Sequence, residues 1–480
     1  MKSHHGLRMS VFCSLLLLSV ALSAAAASYT LKVDSPSYTR VSISVAPPDT
    51  NGKADGLTPF VRNYAPGTEV TLTAPSRHQN KRFIGWKKDG IFIASEASVT
   101  MKMDKARTLS AQYWVSTDRL KWIYYQAAND DSYESPALGA DGTIYVGNGL
   151  LTALRPNGTV KWRSDYRILG APVVGPSGKI YASAAFPYGL LAFDSSGALL
   201  WSYPVPSVVW GTPVLGQDGA IYFGTAESGF FAIHPSGKLK WSFKTGTSSF
   251  DTNAPVNLAV ASNGRVYVAH HDGVLYALGP DGKLRWKFAH KPDPPFMTEP
   301  AIGEDGTIYF CASSRDTFQN YLYALTPTGT QKWMFCPSKS GTLGSRFTVG
   351  QPVIGLNGVI FAAGSGCPDD FWALNPDGTL LWAISNALYA AHGPAVGSNG
   401  YLYFGDGDKN LKAYDQNGTF KWQYPLQDWR MSPPCIAADG TLYINTSKGF
   451  LWAIKTEARG LANSAWPRFH RNNQNTGQAE

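Results

Sequence analysis

Three short signatures return eight times each, in fixed order, along most of this chain. The first is a turn followed by a strand: "DGTIYVG" from 141, "SGKIYAS" from 177, "DGAIYFG" from 218 and "NGRVYVA" from 263. It continues as "DGTIYFC" from 305, "NGVIFAA" from 357, "NGYLYFG" from 399 and "DGTLYIN" from 439. The second is an apolar strand centred on alanine: Ala153, Ala192, Ala232, Ala277, Ala324, Ala373, Ala413 and Ala453. The third ends in tryptophan: Trp122, Trp162, Trp201, Trp241, Trp286, Trp333, Trp382 and Trp422, spaced by 40, 39, 40, 45, 47, 49 and 40 residues. A unit of this length cannot bury both faces of a sheet alone, so neighbouring copies must supply the cover.

A fourth element precedes the first signature and carries proline in nearly every copy: Pro136, Pro172, Pro213, Pro300, Pro352, Pro394 and Pro434. In the fourth copy Pro255 is displaced towards the N-terminus. Named A, B, C and D in chain order, with D ending in tryptophan, these elements are short, rich in Val, Ile, Tyr and Phe, and separated by Gly-containing turns. They read as antiparallel strands. Proline cannot donate to a central ladder, which makes A an edge strand lining a channel. The B strands are apolar on both faces, as in a sheet packed between two others. The expected fold is mainly β: an eight-bladed β-propeller of four-stranded blades with a small N-terminal β-rich domain. The array opens with a lone D at Leu120–Trp122 and ends with a lone A–B–C set at 431–455. The opening D is therefore expected to complete the last blade and remove an open edge. The eight tryptophans are expected to dock each blade on the next.

The array from about 117 to 480 resembles the pyrroloquinoline-quinone-like (quinoprotein-type) repeat family. Its blade signature, A-x-D-x-x-T-G-x-x-x-W, is echoed one residue shorter by "ALRPNGTVKW" from Ala153 to Trp162. The family aspartate stands only at Asp194 and Asp415. The resemblance implies an eight-bladed propeller, either a quinoprotein dehydrogenase or a non-enzymatic propeller lipoprotein of outer-membrane barrel assembly. The dehydrogenases use a vicinal cysteine pair, a calcium ion and a catalytic aspartate. This chain has no adjacent cysteines and no recognisable calcium ligand set, so neither cofactor is supported and no catalytic residue is assigned. The closing "SAWPRFHRNNQNTG" at 464–477 resembles a terminal element found beside such propellers. Residues 29–114 resemble the internalin-type B-repeat, a small β-grasp-like module of bacterial surface proteins, through "YAPGTEVTLTAP", "FIGWKKDG" and "SVTMKMDKARTLSAQYW". That likeness implies a bacterial source and a spacer or adhesion role. Trp86 within it is read as core.

Residues 1–27 have the three-part pattern of a secretory signal: basic Lys2 and Arg8, an apolar run from Val11 to Leu22, and small residues at Ala24–Ala27. Cys13 lies inside the apolar run with no small residues before it, which argues against a lipid-anchored N-terminus. The expected division is 1–27 signal, 28–115 B-repeat-like module, 116–460 propeller and 461–480 tail. The signal carries two basic and no acidic residues, so removing it lowers the net charge from +8 by two, to about +6. No Lys/Arg-rich run stands out, so nucleic acid is not an expected partner. No later segment approaches ~20 uninterrupted apolar residues, so no membrane span is expected.

The remaining cysteines are Cys311, Cys336, Cys367 and Cys435, with no C-x-x-C among them. In the predicted topology Cys336 leaves blade five and Cys367 lies in a neighbouring loop of blade six on the same face. A Cys336–Cys367 disulfide is the expected pairing in an exported chain.

Function is expected on loops. All A–B and C–D turns are tight. The long connections, 243–253, 287–298, 312–320, 334–348 and 363–370, are all B–C or D–A, so they share one face. The residues just before strand A should rim the channel mouth there: Tyr133, Trp210, Asn253, Arg346, His392 and Arg430. This mixture of aromatic, amide and cationic groups suits a glycan or a peptide end. His270, His271 and His290, and the D-x-D of Asp406 and Asp408, have metal-ligand chemistry but read as loop polarity. The expectation is a monomeric, non-catalytic scaffold, secreted, periplasmic or at the cell surface, that binds an envelope or extracellular protein or glycan. A quinone-dependent oxidoreductase and a carbohydrate-active propeller are the alternatives.

Overall fold

The structure is a computed structural model. It describes residues 28–479 apart from 37–39, 80, 116–118, 127–133, 148, 210, 227–228, 246–256, 271, 290–295, 315–319, 337–349, 365–368 and 386–392. The chain divides into two compact units, one of residues 1–79 with 85–113, the other of 80–84 with 114–480.

In the N-terminal unit, strand Tyr29–Asp34 runs parallel to Arg107–Val115 and antiparallel to Phe60–Tyr64. A second sheet orders Gly56–Leu57, Ser42–Ala46, Glu69–Thr73 and Ser98–Lys102. Alternation along "EVTLT" buries Val70 and Leu72 and leaves Glu69 and Thr73 exposed, the pattern of a strand with one face on a core. Trp86 is fully buried, and its Nε1 donates to the carbonyl of Ala97 at 3.1 Å.

In the second unit the described strands fall into repeats of A–B–C–D. Repeat 1 has A at Ala137–Leu138, B at Ile144–Val146 and C at Gly149–Leu154. Its D strand and A of repeat 2 form one strand, Val160–Val174, where two elements were expected. Repeats 1 and 2 therefore share a seven-stranded sheet that continues through Ile180–Ala185, Tyr188–Phe193 and Leu199–Pro204. Repeats 3 to 8 each form their own sheet with A at one edge. Repeat 5 runs Ala301–Ile302, Ile308–Ser313, Asn320–Leu325 and Gln331–Phe335. Repeat 7 runs Ala395–Val396, Leu402–Gly405, Asn410–Tyr414 and Phe420–Pro425. Repeat 8 takes A, B and C from Cys435–Ile436, Thr441–Asn445 and Phe450–Lys455, and its outer strand from Leu120–Tyr125. Tyr124 pairs with Leu451 and Trp122 with Ala453. The early strand thus closes the last sheet, as the lone D at the start of the array requires.

The core lies between sheets. Tyr124, Cys435, Tyr443 and Ala453 of repeat 8 pack on Leu138, Ile144, Val146 and Leu154 of repeat 1. Repeats 7 and 8 bury Tyr403, Leu411 and Leu442 together. Each such aliphatic side chain contributes roughly 1.5–3 kcal/mol on full burial, so adjacent sheets hold each other by their flat faces.

The D-strand tryptophans reach sideways across these seams. The indoles of Trp122, Trp162, Trp201, Trp241, Trp286, Trp333 and Trp382 donate to the carbonyls of Pro156, Ser195, Pro235, Pro280, Pro327, Pro376 and Gln416 at 2.8 to 3.0 Å. Each acceptor lies in the C–D turn of the next repeat. Trp422 has no such turn ahead of it, because the strand that follows is the N-terminal one. Its indole donates to the Glu457 carboxylate at 3.0 Å instead.

Candidate functional site

In every repeat but the fifth, the inner strand A directs one main-chain N–H out of its own sheet. The C-terminal segment takes these donors. The N–H groups of Leu138, Val174, Leu215 and Val260 donate to the carbonyls of Asn473, Gln474, Thr476 and Gly477 at 2.7 to 2.9 Å. Those of Ile354 and Val396 donate to Trp466 and Pro467. Ile436 N donates to the Asn473 side chain at 3.0 Å. In most repeats the donor stands two residues after the strand-A proline, next to the tight A–B turn. The proline carbonyls are used as well: Asn475 Nδ2 donates to Pro172 at 3.0 Å, and Arg468 Nε to Pro434 at 2.9 Å. The segment 466–479 therefore seals the inner strands at the tight-turn end. Orphaned buried N–H groups are rare in folded proteins, which accounts for a tail of this shape.

Two features of the tail are unusual. Arg468 is fully buried and faces carbonyl, amide and hydroxyl oxygens rather than a carboxylate. Burial lowers its pKa to about 10, which still leaves it charged at neutral pH. His470 Nε2 lies 3.0 Å from Glu299 Oε2, both groups almost wholly buried. Burial pushes the Glu299 carboxyl well above its ordinary range. Burial and then the Arg468 charge push the His470 imidazole well below its own. Both shifts favour the uncharged form of each group.

The rim read from the sequence is expected at the opposite end, where B–C and D–A connections leave the sheets. Tyr133, Trp210, Asn253, Arg346 and His392 lie outside the described residues. Arg430 is described: it is half-buried, and its guanidinium carbon stands 4.3 Å from the ring centroid of Trp429. Asp428, which the sequence reading passed over, is 1% exposed. Its carboxylate accepts from Ser447 Oγ at 3.0 Å and Lys448 N at 2.8 Å and pins this loop to repeat 8.

Asp406 and Asp408 do not form an open D-x-D. Lys412 pairs with Asp406 and stands 3.6 Å from Asp408. His270 is buried, with Nδ1 3.0 Å from Asp272; His271 and His290 lie outside the described residues. Cys311 and Cys435 are buried thiols in repeats 5 and 8, far apart in the chain and in different sheets. Burial raises the Cys435 pKa to about 12 and that of Cys311 further. Cys336 follows the strand Gln331–Phe335 and is half-buried, and Cys367 lies outside the described residues. No described helix is long and apolar enough to cross a membrane.

No curated protein matches the chain. Among solved structures, BamB from Moraxella catarrhalis is similar at 16% identity and a TM-score of 0.51, covering 70% of this chain and 99% of that one. The quinohemoprotein alcohol dehydrogenase from Comamonas testosteroni is similar at 13% identity and a TM-score of 0.54, covering 72% and 78%. The Dos1 propeller is similar at 11% identity and 0.55, covering 72% and 97%. Likenesses at these identities speak for the propeller fold alone. Residues 43–117 match the divergent InlB B-repeat domain. The repeats are matched by one family over 147–287, 232–366 and 372–477, well over half of the chain, and the chain belongs to that family, described as outer membrane protein assembly factor BamB.

Proposed function

We propose that this chain is an exported, non-catalytic propeller scaffold. It binds an envelope or extracellular protein or glycan at the end where the long connections leave the sheets. One observation carries this reading: the C-terminal segment occupies the tight-turn end of the inner strands, and the variable connections all belong to the other end. A rigid frame with variation confined to one end is the usual arrangement of a binding surface. The family description, an assembly factor, agrees with a scaffold.

The reading assigns no quinone and no calcium. The chain has no vicinal cysteines, and the carboxylates of its D-x-D are drawn to Lys412. The residues present do not fit the group that quinoprotein dehydrogenases hold.

The test is a pull-down from bacterial envelope extracts beside a glycan array. The wild type is compared with a variant in which 290–295 and 337–348 are replaced by short Gly/Ser links. A ligand retained by the wild type and lost by the variant supports the reading. A ligand held equally by both refutes the long-connection end as its site. Micromolar, saturable pyrroloquinoline quinone binding with calcium-dependent alcohol oxidation would establish the enzyme reading instead.

A further inference from the structure

We propose that the long-connection end also carries a docking surface for an anionic lipid bilayer, formed by repeats 2, 7 and 8. This goes beyond partner binding and does not depend on it, since the long connections of that reading belong to repeats 3 to 6.

Two large aromatic side chains are exposed at this end: Phe186 at 80% and Trp429 at 42%. Phe186 lies in the B–C connection of repeat 2, between Ile180–Ala185 and Tyr188–Phe193. Trp429 lies in the D–A connection from repeat 7 to repeat 8. Antiparallel alternation puts both connections at the same end of their sheets.

The Trp429 loop is built rather than slack. Leu426 and Met431 are buried on either side of it. Asp428 anchors it from below. Leu426 N donates to Lys409 O at 2.8 Å, and Ser447 N to Arg430 O at 3.1 Å. Gln427 and Lys409 hold φ of 60° and 68°. Non-glycine residues persist in that region only where surrounding contacts fix them, and such positions cluster at binding sites. An aromatic group already held in place loses little freedom on docking.

The same bonds gather cations. Arg430 stacks on Trp429, Lys448 Nζ donates to Gln427 O at 2.8 Å, and exposed Lys409 lies in the B–C turn of repeat 7. Of the nearby carboxylates, Asp406 pairs with Lys412 and Asp428 turns inward, while Asp408 stands 3.6 Å from Lys412 with its side chain 60% exposed, so the three cations Arg430, Lys448 and Lys409 outnumber the one exposed carboxylate. An indole ringed by Lys and Arg matches the bilayer interface, where the ring sits at headgroup depth and the cations meet phosphates. Two aromatic tips on separate repeats of one end suit a plane better than the single point a short acidic peptide offers.

Each basic residue near an anionic leaflet strengthens binding about fivefold, and the effect fades beyond a Debye length of ~10 Å at 0.1 M salt. The test is co-sedimentation of the full-length protein with vesicles of phosphatidylglycerol and phosphatidylcholine, against phosphatidylcholine alone. Binding to the anionic vesicles that is lost at 0.5 M salt (a concentration chosen to shorten the screening length) is expected. Trp429→Ser and Phe186→Ser should each weaken it severalfold, and K409E/K448E by tenfold or more. K238E/K283E alters two exposed lysines of the tight-turn end and should leave it unchanged. The altered groups are all exposed, and the melting temperature of each variant checks its fold. Equal binding to both vesicle types, or equal loss in the two lysine variants, overturns the proposal. No binding to either vesicle also overturns it and leaves the surface to an acidic protein partner.

Discussion

The indole of Trp422 donates to Glu457 Oε2, and Arg119 lies over the same indole with its guanidinium carbon 4.1 Å from the ring centroid while its Nη2 reaches Glu457 Oε1 at 2.6 Å. Arg119 precedes the N-terminal closing strand and Glu457 follows the C-terminal one. These two residues replace the C–D turn that the last repeat lacks. Lys121 ties the closing strand to the A–B turn of its own repeat, at Asp439, 2.8 Å away.

Glu457→Ala should therefore loosen the ring at one seam. The pair is partly exposed, so the expected loss is about 1 kcal/mol, read as a shift in the denaturant midpoint. Burial alone would raise the Glu457 pKa, but the Arg119 and Trp422 hydrogen bonds outweigh it and hold the carboxyl below its ordinary value. A depressed carboxyl contributes stability that is present above its unfolded pKa and lost as pH falls through the folded one. The gap between wild type and Glu457→Ala should accordingly close in acid. Deleting 119–125 removes a whole strand and should abolish the cooperative transition; a deletion that still melts like the wild type would refute closure by this strand.

Glycine in the C–D turn is required for two reasons at once. Gly158 has φ +87°, and an added Cβ would stand 2.7 Å from the ring of Trp122. Gly178, in an A–B turn with φ +76°, has open space around it. Gly178→Ala should cost about 1 kcal/mol from backbone conformation alone. Gly158→Ala should cost a further 1–3 kcal/mol from crowding at the seam. Equal costs in urea unfolding would mean that the turn glycine is not set by the tryptophan.

Much of this architecture was legible because it repeats. Period-two alternation, Pro at the inner edge and Gly in the turns are local signals, and eight copies average out local departures. The Lys412 pairing was legible too: Lys412 sits opposite Phe404 in the hairpin register, two residues before Asp406 and hence on its face. The continuous strand Val160–Val174 also had its sign, since "RSDYRIL" contains no turn residues of the Pro–Gly kind. The role of the tail was not legible. Arg468, Asn473 and Asn475 meet carbonyls of repeats 8, 1 and 2 that lie more than 30 to some 340 residues away, and an arginine is an unexpected residue to find fully buried. The rim rested on residues just before strand A, and of these Arg430 alone falls among the described residues.

Thiol chemistry should divide the cysteines. Cys311 and Cys435 are buried with raised pKa values, so neither should react with a thiol reagent until the protein unfolds. We propose that Cys336 and Cys367 are bridged in exported protein, closing a loop of about 30 residues worth roughly 3–4 kcal/mol in the chain-entropy model. Non-reducing peptide mapping decides it; a Cys311–Cys336 peptide, or free thiols at 336 and 367, sinks the pairing.

The buried pair Glu299 and His470 should give the tail a pH optimum. With Glu299 raised and His470 lowered, the folded pair holds one proton over a wide range. In the unfolded chain the same residues hold two protons below the carboxyl value of 4.5, one between 4.5 and the imidazole value of 6.5, and none above. Stability changes with pH as the unfolded proton count minus the folded one. Below 4.5 the difference is one and stability rises with pH. Between 4.5 and 6.5 the two contributions cancel. Above 6.5 the sign reverses and stability falls, by about 1.4 kcal/mol per pH unit on either flank. Burial also raises Glu134, to about 7, which adds its own slope to the wild-type curve. That slope cancels when wild type is compared with a Glu299→Gln, His470→Gln double variant, which keeps the shapes and removes the shared proton. The difference between the two curves should therefore be flat from 4.5 to 6.5 and fall away on both sides. Protection factors for amide exchange across 461–479 should follow the same course, lowest at the extremes in the wild type. A difference curve that slopes steadily through the middle window would mean that the folded pair does not hold a single proton there.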